Sequence, residues 1–116
     1  MKIYYLSTCD TCARILKEIN PGATVVLQDI KHEPITPSQL EEMKKRAGSY
    51  ENLFSKIARK YRSMGLHETI LTEADYRKYI LLEYTFLKRP VMLFGDKIFI
   101  GNSPKIVEAA KQFLHG

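Results

Sequence analysis

The sequence lacks any long hydrophobic run. In 116 residues no apolar stretch approaches the ~20 residues that a membrane-spanning helix requires. The first ten residues, MKIYYLSTCD, have an apolar run of only four residues and do not resemble a signal peptide. Repeats and low-complexity tracts are absent as well. With 45% apolar and 27% charged residues, we expect one compact domain in the cytoplasm that does not associate with membranes.

Cysteine is scarce, and the two that occur, Cys9 and Cys12, lie close together. A lasting structural disulfide is not expected in the reducing cytoplasm. A metal site would need two further ligands, but there is no other cysteine, and the histidines (His32, His67, His115) lack ligand spacing. We therefore expect no metal and interpret the pair as redox-active. Half of a metal site and two inert buried thiols are the alternatives.

Acidic residues are outnumbered, 13 against 18 basic ones, which gives a formal net charge of +5. Basic clusters occur at KKR (44–46) and KIARKYR (56–62). Such a surface attracts anions or nucleic acid. No nucleic-acid-binding motif accompanies the charge, so the clusters are interpreted as solvated helix faces and no direct nucleic-acid binding is expected.

The first thirty residues show a strand, a helix and a second strand. KIYYL (2–6) and ATVVLQDI (23–30) are rich in aromatic and branched residues. Residues 10–19 carry an apolar stripe at helical spacing and are followed by the helix-stopping NPG. The cysteines therefore lie at the turn from strand to helix.

The middle of the chain has the pattern of helices. TPSQ (36–39) is typical of a capping box with proline at the first helical position. Apolar residues recur at helical spacing over residues 50–61, which predicts an amphipathic helix with Gly65 near its end. TEAD (72–75) predicts the start of a third helix.

The last third returns to strands. PVMLF (90–94) and KIFIG (97–101) are separated by Gly95-Asp96, which suits a type II′ hairpin turn, and a final helix begins at residue 103. This order predicts an α/β chain with a thioredoxin-like fold, in which β-α-β and β-β-α units form a central mixed sheet. The prediction is one domain over residues 1–116 with a helical insert at about 36–84.

The position of the cysteines indicates different roles for the two thiols. Cys9 precedes the helix, where unpaired backbone N–H groups and the helix dipole favour a thiolate. Cys12 lies one turn further on the apolar stripe and can form a disulfide with Cys9. We predict Cys9 as the nucleophile and Cys12 as the buried resolving thiol. Asp10 between them slightly opposes thiolate formation.

Three segments together point to a family. YYLSTCDTCARIL (4–16), ENLFSKIARKYRSMGL (51–66) and LKRPVMLFGDKIFIGNSP (87–104) resemble the glutaredoxin-linked arsenate reductases, a family that includes Spx-like regulators of RNA polymerase. The resemblance implies a thioredoxin-like fold with a helical insert. It also implies that Cys9 attacks arsenate, with glutathione and glutaredoxin, or thioredoxin, as the reductant and with no bound cofactor.

The same resemblance assigns an anion site. It implies that Arg89 binds the oxyanion and that Pro90 follows a cis peptide bond facing the cysteine turn. Two further arginines of the well-characterised reductases are replaced here by the segments 55–57 (SKI) and 101–102 (GN). Lys56 can supply part of the lost charge, but as a point charge rather than a planar fork. We therefore expect weaker anion binding than in a three-arginine site.

Two functions fit this sequence. The first is a thiol-dependent oxidoreductase that acts on a small oxyanion or a thiol substrate, with glutaredoxin or thioredoxin as a partner. The second is an Spx-like redox-sensing transcriptional regulator that binds RNA polymerase and uses the C-x-x-C pair as a switch. The fold alone does not choose between them, because function depends on the site.

Overall fold

The computed structural model describes all residues, 1–116, and the chain forms two compact units. The first unit comprises residues 1–34 and 89–116, and the second comprises residues 35–88. The second unit includes the residues, about 36–84, for which the sequence predicts a helical insert, and the single-domain organisation stays a prediction. None of its helices, nor any in the first unit, is long and apolar enough to cross a membrane.

The first unit contains a four-stranded mixed sheet with the order β2-β1-β3-β4. Its strands are β1 (Lys2–Tyr5), β2 (Val26–Asp29), β3 (Val91–Phe94) and β4 (Lys97–Ile100). β1 pairs parallel with β2 and antiparallel with β3, and β3 pairs antiparallel with β4. With helix α1 (Asp10–Ile19) between the first two strands and α5 (Pro104–His115) after the last, this is the predicted thioredoxin-like fold.

Helices α1 and α5 bury their apolar stripes against one face of this sheet. The core there is formed by Ile3, Ile15, Ile19, Val25, Met92, Phe94, Val107 and Ala110. Alternate residues of the strands and i, i+3, i+4 residues of the helices supply it, as their two periodicities require. This packing fixes the start of α1 relative to the end of β1 and the start of β3.

The β3–β4 hairpin turns at Gly95-Asp96, as the sequence predicts. Gly95 has φ +62°. Asp96, the second turn residue, does not have a positive φ, because Asn20 at the end of α1 is the only non-glycine residue in the chain that does. A positive φ at the first turn residue alone is the type II′ conformation, which explains the glycine.

The second unit is mainly helical. It contains α2 (Pro37–Ala47), α3 (Arg59–Ser63) and α4 (Glu73–Leu82). Thr36 caps α2 with the capping box that the sequence predicts. Thr72 caps α4, whose start the sequence also predicts, and this helix has a reciprocal capping box as well. Gly65 follows α3 in the left-handed conformation, with φ +71°.

The sequence predicts an amphipathic helix over residues 50–61, and this prediction is wrong. A 3₁₀ turn at Glu51–Leu53 is followed by extended backbone at Phe54, and α3 starts only at Arg59. The helical pattern also predicts that Ile57 is buried, but Ile57 is 93% exposed.

Hydrogen bonds to a distant segment explain this break in the helix. Phe54 forms an isolated antiparallel bridge with Leu87. The Ser55 N–H donates to the Phe86 carbonyl at 2.7 Å, and the Lys88 N–H donates to the Leu53 carbonyl at 2.8 Å. These bonds satisfy backbone groups that a continuous helix would have used locally, so the chain gains a pairing between residues more than thirty positions apart.

Candidate functional site

Cys9 is the N-cap residue of α1. Its φ and ψ, −100° and 114°, are those of extended backbone, and its carbonyl accepts the Ala13 N–H at 3.1 Å. Its own N–H donates to the Leu6 carbonyl at 3.1 Å, which closes the turn from β1 into the helix. No side-chain hydrogen bond caps the helix, and the nearby Thr11 and Cys12 N–H groups act on the Cys9 thiol.

The Cys9 thiol is partly exposed and its pKa is lowered. Partial burial is the largest single influence on this pKa and raises it. The nearby backbone N–H and thiol of Cys12, the Thr11 N–H and the positive charge of Arg89 together outweigh burial. A lowered pKa favours the thiolate, which is the nucleophilic form of cysteine.

The Cys12 thiol is fully buried, and its pKa is raised to about 11. Burial is the main cause, and the neighbouring Cys9 adds to it through its charge and a hydrogen bond. A hydrogen bond with the Leu6 backbone and the charge of Arg89 oppose the rise. Cys12 is therefore a neutral thiol beside a more acidic one, and both are free rather than disulfide-bonded.

Arg89 and Pro90 enter the site from the start of β3. The Arg89–Pro90 peptide bond is cis, Pro90 is buried, and Arg89 is partly buried. The Pro90 carbonyl accepts the Gly101 N–H at 3.0 Å, which ties this segment to the end of β4. The positive charge of Arg89 acts to lower the pKa of both the Cys9 and the Cys12 thiol.

The model of the ArsC family matches residues 4–110. The chain belongs to the ArsC family. Three solved structures share its fold. Arsenate reductase from Vibrio cholerae has 15% sequence identity and a TM-score of 0.78, and the match covers 95% of this chain and 98% of that one. An ArsC-related protein from Brucella melitensis has 24% identity and a TM-score of 0.72, with 93% of this chain and 91% of that one covered. A Staphylococcus aureus protein has 24% identity and a TM-score of 0.71, with 93% of this chain and 95% of that one covered. No curated protein matches the sequence.

Lys56, predicted to assist this ArsC-family anion site, lies in the second unit. Its ammonium forms an ion pair with Glu51 at 3.1 Å, and both side chains are about half exposed. The hydrogen bond with Glu51 is the main reason that the pKa of Lys56 is raised. Lys56 therefore has a carboxylate partner of its own, and its role at the anion site stays a prediction.

Ser55 lies in the segment 55–57, one of the two places where the family resemblance implies an arginine. It is buried, and its backbone N–H belongs to the pairing with Phe86 described above. At the other position, Gly101 has φ +94°, a conformation that favours glycine, and Asn102 is exposed. Neither segment, 55–57 or 101–102, contains an arginine.

The sequence reasoning missed Asp29 at the end of β2. Its carboxylate accepts the Ser7 and Lys31 N–H groups, both at 3.2 Å, and lies 2.6 Å from His32 Nδ1. Since the carboxyl ends of parallel strands meet at one edge of a sheet, a polar residue ending β2 belongs beside the loop that ends β1. The sequence carries this signal as an aspartate at the end of the second predicted strand, in LQD (27–29).

An apolar groove of about 390 Å³ adjoins the cysteine turn in the first unit. It is lined by Tyr5, Leu6, Ser7, Ala13, Leu16, Lys17, Pro21 and Leu27. The groove offers nonpolar contact next to the turn but few polar groups. No group of three or more His, Cys, Asp or Glu side chains is arranged to hold a metal ion.

Proposed function

We propose that this ArsC-family chain is a thiol-dependent reductase in which Cys9 is the nucleophile and Cys12 the resolving thiol. The observation that carries the proposal is the position of Cys9 at the uncapped start of α1, with its sulfur facing N–H donors and its pKa lowered. Family membership supports a small oxyanion substrate and a thiol reductant.

The proposed first step is attack of the Cys9 thiolate on an oxyanion such as arsenate. A sulfur–arsenic bond forms, and one arsenate oxygen leaves as water after protonation. The N–H groups at the start of α1 and the Arg89 guanidinium stabilise the negative charge of the bound anion.

The proposed second step uses Cys12. Its sulfur attacks the Cys9 sulfur, the sulfur–arsenic bond breaks, and its electron pair remains on arsenic, which is reduced from the +5 to the +3 state and leaves as arsenite. The Cys12 proton passes to the departing oxyanion. Two thiols and arsenate thus give one disulfide, arsenite and water. Glutathione with glutaredoxin, or thioredoxin, then reduces the disulfide by thiol–disulfide exchange.

A single-turnover experiment tests this proposal. The reduced protein is mixed with arsenate without any other thiol, and arsenite and protein mass are measured. We expect one arsenite and a loss of two hydrogens per chain. Cys9→Ser abolishes both. Cys12→Ser yields no arsenite until glutathione is added, and mass spectrometry then detects a glutathione adduct on Cys9.

A second function has an observation in its favour. The absence of arginine from the segments 55–57 and 101–102 weakens the case for a tight oxyanion site, whereas the C-x-x-C pair is complete. An Spx-like redox switch needs only the pair. In that case the oxidised and reduced proteins differ in retention of purified RNA polymerase, and arsenate is not turned over.

A further inference from the structure

A carboxylate outside the proposed cysteine pair holds the turn that leads to Cys9. Asp29 accepts the Ser7 N–H at 3.2 Å, across 22 positions of sequence, and Ser7 lies two residues before Cys9. The same oxygen, Oδ1, accepts the Lys31 N–H at 3.2 Å. One carboxylate oxygen therefore links the loop after β1 to the loop after β2.

The sheet fixes the position of this carboxylate. Asp29 lies opposite Tyr5 in the parallel β1–β2 ladder, and the Ile30 N–H donates to the Tyr5 carbonyl at 2.9 Å. The turn that begins at Leu6 is closed by the Cys9 N–H at 3.1 Å. Ser7 is an interior residue of that turn, so a bond to its N–H restrains the turn from outside.

The environment of Asp29 keeps it ionised. Burial acts to raise the pKa of Asp29, but hydrogen bonds from Ser7, His32 and Lys31 outweigh it and hold the pKa far below its usual range. Oδ2 lies 2.6 Å from His32 Nδ1, so the second oxygen is occupied as well. A carboxylate with three partners in two loops has little freedom to move.

We propose that Asp29 is a positioning residue for Cys9. By restraining the turn from Leu6 to Cys9 through the Ser7 N–H, it keeps the Cys9 sulfur beside the Thr11 and Cys12 N–H groups at the start of α1. The proposal rests on the proposed role of Cys9 as nucleophile and adds a residue that acts on it from β2.

The direction in which the Cys9 pKa changes when Asp29 is replaced distinguishes a positioning role from a purely electrostatic one. A negative charge near a thiol raises the thiol pKa, so removing it as a charge alone would lower the pKa of Cys9. Loss of positioning does the opposite, because the thiolate loses hydrogen-bond donors. Asp29→Ala removes both the charge and the acceptor, whereas Asp29→Asn removes the charge and keeps an acceptor oxygen for Ser7.

The experiment measures the rate of iodoacetamide alkylation at Cys9 and at Cys12 against pH in the reduced full-length chain. We expect Asp29→Ala to raise the pKa of Cys9 by about one unit and to slow its alkylation near neutral pH by about tenfold. Asp29→Asn keeps the rate within about threefold of the unaltered protein. Glu33→Ala, which removes an exposed carboxylate from the same loop, leaves the profile unchanged.

Several outcomes overturn the proposal. One is an unchanged or lowered Cys9 pKa in Asp29→Ala. Another is a rise in Cys12 alkylation to the level of Cys9, since exposure of the buried thiol means that the fold has loosened. The measurement needs no substrate, so a shifted Cys9 profile supports the positioning role even if the arsenate single-turnover experiment fails.

Discussion

Cys9 and Cys12 carry the same functional group three positions apart, and their surroundings push the two pKa values in opposite directions. Cys9 lies outside the first turn of α1, where N–H donors face its sulfur, whereas Cys12 lies inside that turn and is fully buried. Arg89 adds positive charge next to both. Reactivity at this site is therefore a property of single positions, and two predictions address them.

The first residue-scale prediction concerns the order of reactivity. In Cys12→Ser, we expect the remaining Cys9 to be alkylated with an apparent pKa below the ~8.5 of a free cysteine, because N–H donors stabilise its thiolate. In Cys9→Ser, Cys12 stays largely unreactive near neutral pH because burial disfavours its charged form. Faster alkylation of Cys12 than of Cys9 near neutral pH would show that the two roles are reversed.

The second residue-scale prediction concerns the anion. Sulfate, phosphate or arsenate at millimolar concentration is expected to shift the NMR signals of the amides of residues 9–14. Arg89→Ala removes a charge-assisted hydrogen bond of about 1.5–3 kcal/mol and weakens binding about ten- to a hundredfold. Lys56→Ala weakens it only modestly, since Lys56 already pairs with Glu51.

Lys88→Ala is the matched control for this titration, because it removes an exposed positive charge directly next to Arg89 in sequence. It is expected to leave anion affinity within about twofold. Equal shifts in Arg89→Ala and in the unaltered protein would rule out the oxyanion site and favour the dithiol switch.

The local sequence specifies some secondary-structure elements of this chain strongly and others weakly. Helices α2 and α4 begin at Thr36 and Thr72, whose side chains and capping boxes are local signals. The segment from 50 to 61 has a helical pattern of apolar residues but forms a 3₁₀ turn, an extended residue and a short helix. Burial in that segment follows the observed backbone, not the periodicity.

The prediction at this scale contrasts two apolar residues of that segment. Leu53 is fully buried, so Leu53→Ala should lower the free energy of unfolding by about 2–5 kcal/mol, through lost burial and a cavity. Ile57 is 93% exposed, so Ile57→Ala should change it by about 0.5 kcal/mol or less. Urea denaturation measures both. A large loss in Ile57→Ala would mean that residues 50–61 form the regular helix after all.

At the scale of the whole molecule, the thiols connect the site to folding stability. The Cys12 pKa is raised from 9.0 to about 11, so the folded state holds this proton more tightly than the unfolded state. The resulting stability is fully present below pH 9 and is lost as pH rises towards 11. The lowered pKa of Cys9 has the opposite sign and contributes stability that grows with pH only up to its unfolded pKa.

We therefore predict that, between pH 9 and pH 11, the free energy of unfolding of the reduced protein falls by about 2 kcal/mol more than that of the Cys12→Ala variant. The difference between the two proteins is the relevant quantity, because the contributions of all other groups are common to both and cancel. Denaturation in a reducing, oxygen-free buffer at several pH values gives it. Parallel pH profiles for the two proteins would mean that the Cys12 pKa is not raised in the folded state.

The sequence by itself determined the features that depend on near neighbours. The strand and helix order of the first unit, the caps at Thr36 and Thr72, the Gly95 turn and the place of Cys9 at the start of α1 all follow from contacts within a few residues. Tertiary structure decided the rest. The break at Phe54 depends on pairing with Leu87, and the link from Asp29 to Ser7 spans 22 positions and depends on the β1–β2 register. Local patterns do not encode such contacts, because their partners meet only after the chain has folded.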